Sequence, residues 1–232
     1  MSGLLFEAPK TYSIPVNGED AAYPVNRIFC VGRNYAAHAA EMGVEVDREA
    51  PFYFTKHPSA TVPTGATVPY PTGTENYHYE MELVMVIGKP VFRCSVADAP
   101  AAIYAFGSGL DMTRRDLQLA ARAKQRPWDL GKDFEKSAVF SALTKSAELG
   151  ELGEQRIHLE VNGDVKQDAH LKDLIHNCYE VVADLSKYYH LAPGDVIMTG
   201  TPAGVGAVLP GDKITGGIDG LDPIDLTIGD KE

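Results

Sequence analysis

Apolar positions fall mainly in short runs punctuated by glycine and proline, a strand-and-turn pattern. Residues 27–32 (RIFCVG) are an almost unbroken apolar run and predict a buried strand. Residues 77–88 (YHYEMELVMVIG) predict the clearest strand, because they split by period two. His78, Glu80, Glu82, Val84 and Val86 share one face; Tyr77, Tyr79, Met81, Leu83, Met85 and Ile87 share the other. Residues 103–110 are apolar and small, which predicts another buried strand, and 196–200 predict a strand entering a glycine-rich loop at 200–206. Residues 156–161 and 164–167 flank Asn162-Gly163, the signal of a hairpin with a type I′ turn. Helical stretches are few. They are 35–42 with Asn34 as N-cap and Gly43 at C′, 95–102 with Ser95 as cap, 113–126, and 171–190. Residues 1–25, with Pro9, Pro15 and Pro24, read as an extended lead-in, and 26–232 as a single catalytic domain. No internal repeat or regular βαβ alternation occurs, so the expected class is mixed α+β and β-rich.

Composition narrows the function. The 232 residues are 44% hydrophobic and 23% charged, which excludes intrinsic disorder. A formal net charge of −11 argues against binding nucleic acid or an anionic membrane, both of which need clustered Lys and Arg. A small anionic substrate would have to be steered by local positive charge instead. No apolar run approaches the ~20 residues of a membrane helix, and the first residues have no leader pattern. Cys30, Cys94 and Cys178 are far apart and lack metal spacing, which fits reduced thiols in a cytoplasmic protein.

The chemistry centres on Glu80 and Glu82. Residues i and i+2 on a strand point the same way, so both carboxylates face one side. If the strand is buried, two adjacent carboxylates repel and lose hydration at a cost of several kcal/mol, which a divalent cation relieves. Magnesium, with oxygen ligands at about 2.1 Å, suits such a site, as do manganese and calcium. If it is an edge strand, the pair simply faces water. Asp111 supplies a third carboxylate at a strand end or helix start, where it could equally be an N-cap. His38 and Glu41 share a helix face at i, i+3; the carboxylate can orient a neutral imidazole that takes a proton from water, or the pair can be surface decoration. Lys132, in a turn flanked by Trp128 and Phe134, is either a partly buried cation aimed at an oxyanion or a solvated lysine. The 200–206 loop is neither a Walker A nor a dinucleotide fingerprint, but its backbone N–H groups could bind a carboxylate.

Taken in order, CVGRNYAAHAAEMG (30–43), FTKHPSA (54–60), YHYEMELVMVIGK (77–89), GLDMTRRDLQ (109–118), RPWDLGKDFEKSAVFS (126–141), VNGDVKQD (161–168), PGDVIMTGTPAGVG (193–206) and GDKITGGIDGL (211–221) resemble the fumarylacetoacetate hydrolase family. DMTxRDLQ with RPWxxxKxF is most similar to its small acylpyruvase branch, which includes acylpyruvate and fumarylpyruvate hydrolases. The resemblance implies a β-sandwich roll like the family's C-terminal domain, usually in a homodimer, and a metal-dependent hydrolase of a small diketo acid in aromatic catabolism. It maps the metal ligands onto Glu80, Glu82 and Asp111, and the water-handling dyad onto His38 and Glu41 in a lid at 34–50. It maps the active-site lysine onto Lys132 and substrate contacts onto Arg33, Lys56, Arg115, Gln118 and Thr201. Many relatives read Lys-Pro where this chain has Lys56-His57-Pro58. Fumarylpyruvate would place a second carboxylate near Arg33, Lys56 or His57. Rival expectations are oxaloacetate decarboxylation, a hydratase or isomerase of a related keto acid, and a non-enzymatic metal-binding module.

Overall fold

The computed structural model describes residues 3–41 and 48–232; Met42, Gly43 and part of the expected lid lie outside them. Strands dominate, as the run lengths predict. The largest sheet runs in the order Phe52–Lys56, Arg27–Gly32, Asp195–Met198, Met81–Ile87, Ile103–Asp111, Ala138–Phe140, Thr61–Pro63, with Thr144–Lys145 also on Ile103–Asp111. A second sheet runs Asp164–His170, Arg156–Val161, Lys213–Ile218, Ile224–Lys231, Ala66–Tyr70. The hairpin forms as expected, with Asn162 and Gly163 both at positive φ (53° and 87°), as a type I′ turn requires.

The central strand Met81–Ile87 is buried on both faces, and its period-two split divides the core. Val84 and Val86 join one cluster with Ile28, Cys30, Val196 and Met198; Met81, Leu83, Met85 and Ile87 join another that reaches Ile157, Leu159 and Ile214 of the second sheet and Val181, Val182 and Leu185 of helix Cys178–Leu185. Each such side chain stabilises the fold by about 1.5–3 kcal/mol when fully buried, so the strand tolerates charged groups costing several kcal/mol at its start.

Several expectations change. The 171–190 stretch is a 3-10 turn at Leu171–Asp173 and a helix at Cys178–Leu185, and the only helical part of 95–102 is the 3-10 turn Ala99–Ala102. Residues 77–88 are two strands: Tyr77–Tyr79 pairs with Thr113–Arg114 and Gly206–Val208 in a three-stranded sheet, and Met81–Ile87 lies in the large one. The break falls at Glu80, whose carbonyl accepts from Asp111 N (2.9 Å), while Met81 N donates to Gln167 Oε1 (3.0 Å). Residues 113–114 are strand, and the helix is Arg115–Ala123, because Thr113 pairs with His78. Asn34 does not cap its helix: its side chain bonds to His176 N and O and to Thr199 O, joining two loops. Residues 12–25 are more than a lead-in, since Tyr12–Ile14 and Tyr23–Val25 form a hairpin that buries Ile14, Tyr23 and Val25 in the second cluster.

Candidate active site

Three strand positions bring the acidic groups together. Glu80 sits at the sheet switch, Glu82 lies on the central strand, and Asp111 ends the neighbouring strand, whose Leu110 pairs with Met81. One oxygen from each lies within 4.8 Å of the others, and all three residues are buried. Asp111 is therefore a strand-end residue pointing into the cluster.

Cations surround these carboxylates. Arg115 Nη2 donates to Glu80, Lys132 Nζ donates to Glu80 Oε2 and Asp111 Oδ2 (2.7 Å each), and Lys56 Nζ lies 2.8 Å from Asp111 Oδ1. Lys132 and Arg115 hold the Glu80 carboxyl well below the usual range against the opposing effect of burial. Glu82 accepts from Gly200 N (2.8 Å); burial and the nearby Asp111 and Glu80 push its carboxyl well above the usual range. The strained carboxyl, the all-oxygen donor set and the spacing fit a hard divalent cation held by Glu80, Glu82 and Asp111.

Lys132 is buried, not solvated. Its third hydrogen goes to Thr113 Oγ1 (2.7 Å), so each ammonium hydrogen has a protein acceptor, and the expected oxyanion contact requires one of them to be released. Lys56 departs further from its expected role. Buried beneath the cluster, it donates to Met112 O (3.1 Å), Ser137 Oγ (2.9 Å) and Lys132 O, and it does not line the site cavity. The extra His57 is not there either: its ring accepts from Ser59 N (3.1 Å), and its backbone N–H donates to Asp133 (2.7 Å).

The cavity is lined by Arg33, His38, Phe54, Glu80, Glu82, Arg115, Gln118, Arg122, Trp128, Lys132 and Thr201, among others. His38 Nδ1 lies 3.3 Å from Glu41 Oε2, and Gly204 N donates to both Glu41 oxygens (3.2 Å each). Burial lowers the imidazole's pKa, which favours the neutral ring, against the pull of Glu80 and Glu41. Arg115 and Gln118 meet through Nη1 and Oε1, and Arg115 Nε donates to His78 Nδ1 (3.4 Å). His78 is thus a buttress; burial and Arg115 bring its pKa down to about 4.

A second hollow of about 480 Å³ shares Arg33, Phe54, Arg122, Trp128 and Lys132 with this cavity and adds Phe52, Arg126 and Tyr189. Arg33, at φ 59°, stacks its guanidinium over Phe52 (5.7 Å) and Trp128 (5.6 Å). A left-handed non-glycine residue costs about 1–3 kcal/mol, so the fold holds this arginine in place against strain. Gly200, at φ 98°, lets the loop touch the 31–34 turn; a Cβ there would lie 2.8 Å from Asn34 Cβ.

Sequence reasoning gave no site role to Arg122, Trp128, Thr113 or Gln167. Arg122 follows Gln118 by four residues and so shares its helix face, a readable signal; the other three lie within the family-like stretches quoted above, where Trp128 reads only as flanking Lys132.

The family model "Fumarylacetoacetate (FAA) hydrolase C-terminal" matches residues 27–228. The chain is 56% identical over 194 residues to a fumarylpyruvate hydrolase of a Ralstonia species, covering 82% of this chain and all of the relative. It is 36% identical over 199 residues to an oxaloacetate tautomerase of Escherichia coli, covering 85% and 90%. The crystal structure of fumarylpyruvate hydrolase from Pseudomonas aeruginosa, in complex with Mn2+ and pyruvate, superposes with a TM-score of 0.95 at 42% identity, covering 99% of this chain and 100% of that one.

Proposed function

We infer, from the site and from the fumarylacetoacetate hydrolase family to which this chain belongs, that it is a metal-dependent hydrolase cleaving a carbon–carbon bond of fumarylpyruvate to give fumarate and pyruvate. The observation that carries the reading is one shared cavity: a buried histidine backed by a carboxylate lines the same space as two carboxylates of an acidic triad fit to bind a metal.

A divalent cation bound by Glu80, Glu82 and Asp111 would polarise the diketo acid and offset charge developing on the leaving group. Arg115, Gln118 and Thr201 orient the substrate's oxygens. His38, aligned by Glu41, takes a proton from water as the water's oxygen bonds to the distal carbonyl carbon. Lys132 places positive charge near the resulting oxyanion. Collapse of that oxyanion breaks the carbon–carbon bond; the bonding pair leaves with the pyruvyl fragment, and the proton held by His38 returns to its carbon. Arg33 meets the far carboxylate of the fumaryl group, with Arg122 on the same wall.

The test is turnover by purified protein with Mg2+, followed by loss of enol absorbance for fumarylpyruvate and acetylpyruvate and by pyruvate release from both and from oxaloacetate. Fumarylpyruvate is expected to be fastest; oxaloacetate as the dominant substrate would overturn the reading. Chelation is expected to abolish turnover, and Mg2+ or Mn2+ to restore it; full activity after exhaustive chelation would remove the metal from the chemistry. We take Mg2+ as the native ion because it pairs hard oxygen ligands with retained waters. Arg33→Ala is expected to cost fumarylpyruvate at least tenfold more in kcat/KM than acetylpyruvate, which lacks the far carboxylate. Equal losses on the two would place that carboxylate elsewhere.

We also propose a cytoplasmic homodimer. No described helix is long and apolar enough to cross a membrane.

A further inference from the structure

The outer edge strand Asp164–His170 is mostly exposed, with Ala169 half-buried and one residue fully buried, and that residue is polar. Gln167 is 1% exposed, while its neighbours Lys166 and Asp168 face solvent. Its amide is fully committed. Oε1 accepts from Met81 N (3.0 Å), and Nε2 donates to Thr201 Oγ1 and Pro202 O (2.8 Å each). Met81 N can only donate and Pro202 O can only accept, so these two partners fix which end of the amide is which.

Two consequences follow from that orientation. Met81 lies between Glu80 and Glu82, so one end of the amide pins the backbone carrying two carboxylates. The other end gives Thr201 Oγ1 a hydrogen, occupying a lone pair and leaving the threonine's own hydrogen to be donated elsewhere. Thr201 lines the cavity. The same loop sends Gly200 N to Glu82 and Gly204 N to Glu41. At Gly204 it lies so close to the edge strand that a Cβ would stand 2.0 Å from Lys166 O.

We propose that Gln167 is a positioning residue that turns the Thr201 hydroxyl into a hydrogen-bond donor aimed at the substrate and fixes the 200–206 loop against the Glu80–Glu82 backbone. It touches no substrate itself. The inference rests on the hydrolase reading above for its kinetic arm alone.

The test is a double-mutant cycle of Gln167→Met and Thr201→Val, with Gln167→Glu as a second probe. Glutamate can still accept from Met81 N, but it cannot donate to Thr201 and would draw the threonine hydrogen to itself. Gln167→Met, Gln167→Glu and Thr201→Val are each expected to lower kcat/KM for fumarylpyruvate at least tenfold, with KM raised. The Met–Val double variant is expected to lose no more than about threefold beyond Thr201→Val. In the metal-free protein, amide hydrogen exchange in residues 200–206 is expected to rise in Gln167→Met and not in Thr201→Val.

A double variant whose losses multiply would overturn the proposal, as would a Gln167→Glu protein with unchanged KM or unchanged loop exchange in Gln167→Met. A purely structural role would lower the melting temperature and leave KM alone. If the unaltered protein fails to hydrolyse fumarylpyruvate, the functional reading falls, and loop exchange still decides whether Gln167 fixes the loop.

Discussion

Replacing His38 with alanine is expected to lower fumarylpyruvate hydrolysis by about 10³-fold, within the range of about 10²–10⁴ that a positioned general base contributes. The residue is 6% exposed, and its ring lines the cavity with one nitrogen turned to Glu41, leaving the other for water. His38 lies outside the metal-binding triad, so Mn2+ affinity and melting temperature should stay near those of the unaltered protein. Pyruvate release from oxaloacetate, which needs no attacking water, should survive better. The pH profile supplies a second readout. A general base works deprotonated, so activity is lost as pH falls through its pKa. Burial lowers that pKa in the free protein, and the acid limb of kcat/KM is therefore expected below the ordinary histidine value of about 6.5. A His38→Ala protein within tenfold of the unaltered enzyme, or an acid limb above that value, would remove His38 from the base's role.

Lys56→Met is expected to act on stability rather than on substrate. The variant keeps most of the side-chain volume but removes the ammonium that lies against Asp111, Met112 O and Ser137. Asp111 keeps Lys132 on its other oxygen, but its Oδ1 and Met112 O lose a buried cationic partner, at a cost of about 3–5 kcal/mol in all. For a chain of this size that corresponds to a fall in melting temperature of roughly 6–20 °C. Calorimetry at fixed metal concentration measures the fall. A lysine that binds substrate would give a raised KM with an unchanged melting temperature, so the two roles separate cleanly.

The difference between His38 and Lys56 shows what a sequence can reveal. Period two marked the two strands that flank Glu80, the second of which carries Glu82, because alternation survives in any strand whatever its partners. His38 and Glu41 were readable from helical spacing, and Asp111 from its place after a small-residue run. The switch of sheets at Glu80 was not readable, because it depends on partners as distant as Gln167. Nor was the direction of Lys56: a lysine on the edge strand Phe52–Lys56 gives no local sign that its ammonium turns inward to a carboxylate 55 residues further along the chain. Gln167 was hidden for a related reason, since an amide in a hairpin strand reads as solvent-facing until the loop it supports is in place.

The parallel pairing of Arg27–Gly32 with Asp195–Met198 joins residues 168 apart, clamped by Arg27 to Asp195 at 2.7 and 2.5 Å. Contacts between such distant segments come at a large loop-closure cost and make folding slow. During synthesis, the first of these strands leaves the ribosome long before its neighbour exists. Until then its edge lies unsatisfied, and Thr201, just beyond the later strand, cannot meet Gln167. The acidic cluster could gather before that point, but a closed catalytic cavity could not. The catalytic centre should thus close only late in folding, and nascent chains that stop short of residue 195 should depend on chaperones more than those that extend past it.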